Sequence, residues 1–147
     1  MSVSERSSAL TRMVQWFEAL RPETLEDIEQ IYASDAHFQD PFNDVTGVVA
    51  IQAIYRHMFE NLGNPRFEVT QTIEQGEQVF VAWRFRFDWR GQSFDIPGGT
   101  HMRFNAQGLI VDHVDYWDVA CGLYERLPLL GPLLRALRAR MSASSQK

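Results

Sequence analysis

From Val79 to Trp89 every second residue is large and apolar: Val79, Val81, Trp83, Phe85, Phe87 and Trp89 fall on one face, while Arg84, Arg86 and Asp88 mark the middle and end of the other. Side chains alternate along an extended chain, so this run has to lay one whole face against a core. It predicts a strand, and a strand needs neighbours. On the N-terminal side, Phe67, Val69, Gln71 and Ile73 alternate with Glu68, Thr70, Thr72 and Glu74 before Gly76 breaks the run, which places Ile73 on the face of Phe67 and Val69. On the C-terminal side, Gly91 allows a turn into Ser93–Ile96. Pro97-Gly98-Gly99 then suggests a bulge or sharp bend before Thr100–Phe104. Asn105-Ala106-Gln107-Gly108 reads as a hairpin turn into a long strand from Leu109 to about Asp118.

The first third of the chain has a different period. Leu10, Met13, Val14, Phe17 and Leu20 recur at helical spacing, with Ser7 and Ser8 as candidate caps. Pro22 ends that run, and Thr24-Leu25-Glu26-Asp27 resembles a capping box opening a second helix through Leu25, Ile28 and Ile31. After a short extended piece around Asp40, Ile51, Ile54, Tyr55, Met58 and Leu62 form the stripe of a third helix, stopped by Gly63 and Pro65. Helices first and a meander afterwards imply an α+β fold, with N-terminal helices covering one face of a curved antiparallel sheet. The expected organisation is one domain over residues 1–141, with its core at about 8–118, an amphipathic extension at 121–141 and a disordered tail at 142–147.

Composition narrows the function. A net charge of −5 argues against nucleic acid as a partner, since phosphates demand a cationic surface. No apolar stretch is long enough to span a bilayer, and the first residues contain no secretory h-region, so the expected location is the cytoplasm. Cys121 is the single cysteine; with no metal-ligand pattern near it, it reads as a small buried hydrophobe, and neither a metal nor a cofactor is expected.

Three segments carry a resemblance: ASDAHFQDPF at 33–42, the helix from Gly47 through Phe59, and PGGTHMRFNAQGLIVDHVDYW at 97–117. Their order and spacing look like the cone-shaped superfamily of nuclear transport factor 2, ketosteroid isomerase and the SnoaL-like polyketide cyclases, over approximately Met13 to Asp118. The resemblance implies a sheet wrapped round a pocket. In ketosteroid isomerase an Asp base shuttles a proton while a Tyr and a protonated Asp hold the enolate oxygen. Asp40 matches the base position, although an Asp before Pro is also ordinary turn chemistry. Where the resemblance would place the tyrosine and the acidic donor, this chain has Trp16 and Thr100, which can still donate hydrogen bonds.

On the last strand Val111, His113, Asp115 and Trp117 alternate onto one face, which the resemblance turns inward, making His113 with Asp115 a second acid–base unit or a structural ion pair. His37, His57 and His101 are expected outside. The expected substrate contacts are Trp16, Phe38, Thr100 and Trp117, with Trp83 and Phe85 facing Ile54 and Met58. Such a lining suits an apolar small molecule. The resemblance thus implies a cofactor-independent isomerase, cyclase, dehydratase or epoxide hydrolase. A binder of a hydrophobic ligand and a dimeric interaction module are the alternatives, and a homodimer is expected from the superfamily. Leucines and arginines across 123–140 also suggest contact with a membrane surface, while Pro128 and Pro132 interrupt any single helix there.

Overall fold

The computed structural model describes residues 2–128 and 130–141; the tail expected at 142–147 lies outside them. Two compact units divide after Tyr116.

The first unit begins with helix α1 (Val3–Glu18), whose cap is Ser2 and not the expected Ser7 or Ser8. Ser2 Oγ accepts from the Glu5 N–H while Glu5 accepts from the Ser2 N–H, so the helix starts where two of its unpaired donors can be satisfied reciprocally. The second helical segment, Pro22–Gln30, is a 3₁₀ helix that buries Leu25 and Ile28. Its Thr24 hydroxyl bonds both polar backbone groups of Arg21. Strands β1 (Tyr32–Gln39) and β2 (Asp44–Thr46) come next, followed by α2 (Val48–Asn61), β3 (Gly63–Gln75), β4 (Gln78–Trp89), β5 (Gln92–Phe104) and β6 (Ile110–Trp117). Gln52 ties α2 to the 3₁₀ helix by donating to the Leu25 carbonyl.

The six strands form one curved sheet in the order β2-β1-β6-β5-β4-β3. It is mixed, because β1 runs parallel to β6 while pairing antiparallel with β2. That pairing brings two distant segments together and sets Phe38 beside His113.

Two details of the strands depart from the sequence pattern. The β3–β4 register slips between Val69 and Gln71, and past the slip Ile73 pairs with Phe80. One inserted residue turns every later side chain over, so Ile73 lies away from Phe67 and Val69 and is 54 % exposed. The β4–β5 pairing, by contrast, runs from Gln78↔Arg103 to Trp89↔Gln92 without a shift through Pro97-Gly98-Gly99, where a bulge was expected. The glycines serve close packing there: the Trp83 indole lies against Gly98 and the Phe80 ring against Gly99.

On the outside, His37 of β1 sits between Asp112 of β6, 2.7 Å from Nδ1, and Asp44 of β2, 2.8 Å from Nε2. Two carboxylate acceptors call for two N–H donors, so the bonds to Asp112 and then Asp44 raise its pKa above the usual value. Because the folded value exceeds the unfolded one of about 6.5, the stabilisation is complete at mildly acid pH and is lost as pH rises through the folded value. Exposed pairs contribute up to about 1 kcal/mol. With two such pairs the melting temperature should therefore fall by no more than about 8 °C across that transition, a drop that His37→Gln should flatten.

The second unit begins at Trp117. It holds a short helix α3 (Val119–Gly122), a 3₁₀ turn (Tyr124–Arg126) and helix α4 (Leu130–Met141). Asp118 caps α3 through the Cys121 N–H, and half-buried Cys121 has the Arg138 guanidinium 2.9 Å from its sulfur. Pro132 falls in the first turn of α4, where a missing N–H costs nothing, so it does not prevent the helix. Leu130, Leu133, Leu137 and Met141 are exposed. Among the described residues no helix is long and apolar enough to cross a membrane.

Candidate active site

Between α1, α2 and the inner faces of β3 to β6 lies a hollow lined by Phe17, Tyr55, Phe67, Val69, Val81, Trp83, Thr100, Met102, His113 and Asp115. The volume in which the centre of a water molecule can sit is about 40 Å³. The hollow therefore admits a few waters or one small organic group.

Its polar groups are joined. The Trp83 indole N–H donates to Thr100 Oγ1 over 2.8 Å, and the Thr100 hydroxyl donates to Asp115 Oδ1 over 2.5 Å. The same carboxylate oxygen lies 2.8 Å from His113 Nε2. On the other side of the imidazole, His113 Nδ1 is 2.8 Å from the Tyr32 hydroxyl, which is 2.9 Å from that of Tyr55. The chain therefore runs Trp83, Thr100, Asp115, His113, Tyr32, Tyr55, and among the described residues no buried side-chain polar atom lacks a partner. His113 is 2 % exposed, and the Asp115 side chain 17 %. Burial, as the leading cause, holds the Tyr32 and Tyr55 phenols well above their usual pKa, with the Asp115 charge adding to it, so both stay protonated at neutral pH.

Register explains the arrangement. Thr100 faces Val81 across the β4–β5 ladder, two residues along from the Trp83↔Gly98 pair and on the same face, which puts the indole N–H diagonally over the threonine. His113 and Asp115 share a face of β6 as their spacing requires. Behind His113, the Phe38 ring centroid is 4.5 Å away and Tyr32 stacks at 5.8 Å.

Of the residues singled out from sequence, the hollow brings together Trp83, Thr100, His113 and Asp115. Phe38 backs His113; Phe85 stacks on Phe67, its centroid 4.5 Å away, and does not line the hollow. Ile54 and Met58 are half-buried on α2 and are not lining residues either; Tyr55, on the same stripe, is. Trp16 is buried edge-on to Tyr32 and Tyr55, and its N–H is spent on the Thr24 carbonyl at 3.1 Å. Trp117 is the last residue of β6 and belongs to the second unit.

Asp40 has turn geometry. Its Oδ1 accepts from the backbone N–H of Phe42 at 2.7 Å and of Asn43 at 2.6 Å, and the Asn43 amide reaches both carboxylate oxygens. It is half-buried and does not line the hollow, although its charge is one of the lesser causes of the raised Tyr55 pKa. His57 is exposed, while His37 and His101 bond outer-face partners. The residues that sequence reasoning passed over are Tyr32 and Tyr55. Tyr55 was visible only as one member of an apolar helix stripe, and nothing local marks Tyr32. Among the described residues no three His, Cys, Asp or Glu side chains gather as metal ligands would.

Comparison with known proteins gives a consistent result. A family model described as a SnoaL-like domain matches residues 13–113. A Catenulispora acidiphila protein with a ketosteroid isomerase-like fold, in complex with trimethylamine, superposes with a TM-score of 0.67 at 18 % identity, covering 78 % of this chain and 88 % of that one. An M. tuberculosis LEH-like epoxide hydrolase gives 0.66 at 16 % identity over 93 % and 95 % of the two chains. A nuclear transport factor 2-like protein from Burkholderia pseudomallei gives 0.69 at 20 % identity over 82 % and 94 %. At these identities the likeness is one of fold.

Proposed function

Since the chain belongs to the SnoaL-like domain family, we propose that it is a small-molecule enzyme in which His113 and Asp115 form one acid–base unit, taking a proton from an apolar substrate in the hollow and returning it. The observation that carries this reading is the unbroken hydrogen-bonded chain through that pair, with members lining an otherwise apolar hollow. A carboxylate beside the imidazole fixes its tautomer and balances the imidazolium formed when it takes a proton. Asp40, with its carboxylate engaged by the turn, is assigned to holding the loop after β1. Isomerisation, cyclisation, dehydration and epoxide hydrolysis all need such a unit, and the epoxide hydrolase with this fold supports that range by analogy alone.

A second reading, carriage without turnover, has one observation in its favour. The rings of Phe17, Tyr55, Phe67 and Trp83 surround a hollow with a carboxylate in its wall, surroundings that suit a small organic cation. Trimethylamine therefore belongs in the ligand panel beside small ketones, epoxides and alcohols. Incubation in deuterated water, with product and deuterium uptake read by NMR, should show turnover of a neutral substrate by the parent chain. His113→Gln should lose that turnover while still binding the ligand. Binding of the amine with no turnover of any neutral compound would leave carriage as the function.

A further inference from the structure

Both nitrogens of His113 are committed, Nε2 to Asp115 and Nδ1 to Tyr32, so the imidazole does not itself present a nitrogen to a substrate. A proton has to reach it through the chain. At the Trp83 end the terminal group is an indole N–H, which donates and cannot accept. The Tyr55 end is a hydroxyl, which does both, on a residue that lines the hollow. We propose that Tyr55 is a catalytic residue whose hydroxyl exchanges the proton with the substrate, and that Tyr32 passes it to and from His113. The proposal rests on the acid–base reading above and names the residue at which that unit meets its substrate.

The direction of the chain follows from its fixed members. An ionised Asp115 only accepts, and it takes the Thr100 hydroxyl proton and the His113 Nε2–H. A neutral His113 then has a bare Nδ1, which accepts from Tyr32, and the Tyr32 oxygen accepts from Tyr55. Tyr55 is left as the acceptor that ends the line. When a substrate C–H or O–H breaks, its proton bonds to the Tyr55 oxygen, the Tyr55 proton moves to Tyr32 and the Tyr32 proton moves to Nδ1. The electron pair stays on the substrate. The products are an enolate or alkoxide and an imidazolium beside the Asp115 carboxylate, with neither tyrosine charged in between. Reversal returns the proton, to the same atom or to another one. The imidazolium state also reverses both tyrosine hydroxyls, so that Tyr55 then offers a proton where it had offered a lone pair. A matching substrate is compact and apolar, and carries one acidic hydrogen, either next to a carbonyl or on a hydroxyl.

Tyr32 is the sharpest probe, being 1 % exposed and absent from the lining, so that Tyr32→Phe cuts the relay and leaves the walls of the hollow as they were. With a substrate found in the panel, Tyr32→Phe and Tyr55→Phe should each lower kcat by about 10²-fold, the low end for loss of an acid–base group. KM should stay within about twofold for Tyr32→Phe. Nitrogen-15 NMR of the parent should show His113 as the Nε2–H tautomer with a hydroxyl proton coupled to Nδ1; that coupling should survive Tyr55→Phe and vanish in Tyr32→Phe. The His113 signal also reports folding. Should Tyr32→Phe not fold, Tyr55→Phe carries the same kinetic expectation with the Tyr32–His113 bond intact. Parental kcat and pH profile in Tyr32→Phe would overturn the relay alone, as would an Nδ1–H tautomer in the parent. A parent without turnover sinks the acid–base reading and the relay with it.

Discussion

Gly98→Ala is expected to destabilise the first unit by about 1–3 kcal/mol, the usual cost of overpacking a filled core. A methyl group there would sit 2.3–2.7 Å from three ring carbons of Trp83. The indole cannot step aside cheaply, because it is 7 % exposed, meets Phe67 edge-on at 5.6 Å and is tied at its N–H to Thr100. Relieving the clash means breaking that bond, which also frees the Thr100 hydroxyl that holds Asp115. Urea unfolding should show a lower midpoint at unchanged slope. Combining Gly98→Ala with Trp83→Leu should recover part of the loss by removing the ring the methyl group strikes.

Gly99→Ala provides the control: its added methyl would come equally close to a ring, that of Phe80, but Phe80 is 39 % exposed and can swing toward solvent. The substitution at 99 should therefore cost clearly less than the one at 98. Equal losses at the two positions would show that the strand backbone, and not the buried indole, is what resists a side chain.

The fate of those glycines shows what a sequence can and cannot say about this fold. Pro97-Gly98-Gly99 reads locally as a bend, since glycine in a strand usually marks one. The alternative meaning, room for a ring from the neighbouring strand, depends on the β4–β5 register, which is not a local property. The alternation from Val79 to Trp89 was legible because a period of two survives whatever the strand pairs with. Ile73 was misplaced because a single inserted residue after Val69 leaves composition and pattern unchanged while reversing the face.

The site divides in the same way. His113 and Asp115 could be found because two residues on one strand share a face by geometry alone. Tyr32 lies 81 positions from His113 and 23 from Tyr55, and their hydroxyls meet only after β1 has docked parallel to β6 and α2 has closed over both. No window of sequence contains that event. Asp40 is the reverse case: its signal was clear and had two meanings, a family position and a turn. Its oxygens are taken up by the turn.

That contrast leads to the decisive pair of substitutions. Asp115→Asn should lower kcat by about 10²–10⁴-fold, the range for removing an acid–base partner. The amide oxygen can keep the bonds from Thr100 and His113, so the hollow should hold its shape and its ligand. What disappears is the negative charge opposite an imidazolium, and with it the reason for a proton to come to rest on His113. Asp40→Asn should behave differently. Asn Oδ1 can still accept from the Phe42 and Asn43 N–H groups, so the loop should stay closed at a cost of about 1 kcal/mol, with kcat changed by less than about tenfold. Ligand affinity measured beside kcat separates a lost proton acceptor from a collapsed wall, since only the second weakens binding as well. If Asp40→Asn were the variant that stops turnover while Asp115→Asn ran at parental rate, the base would be the turn aspartate and the six-residue chain from Trp83 to Tyr55 would be scaffolding.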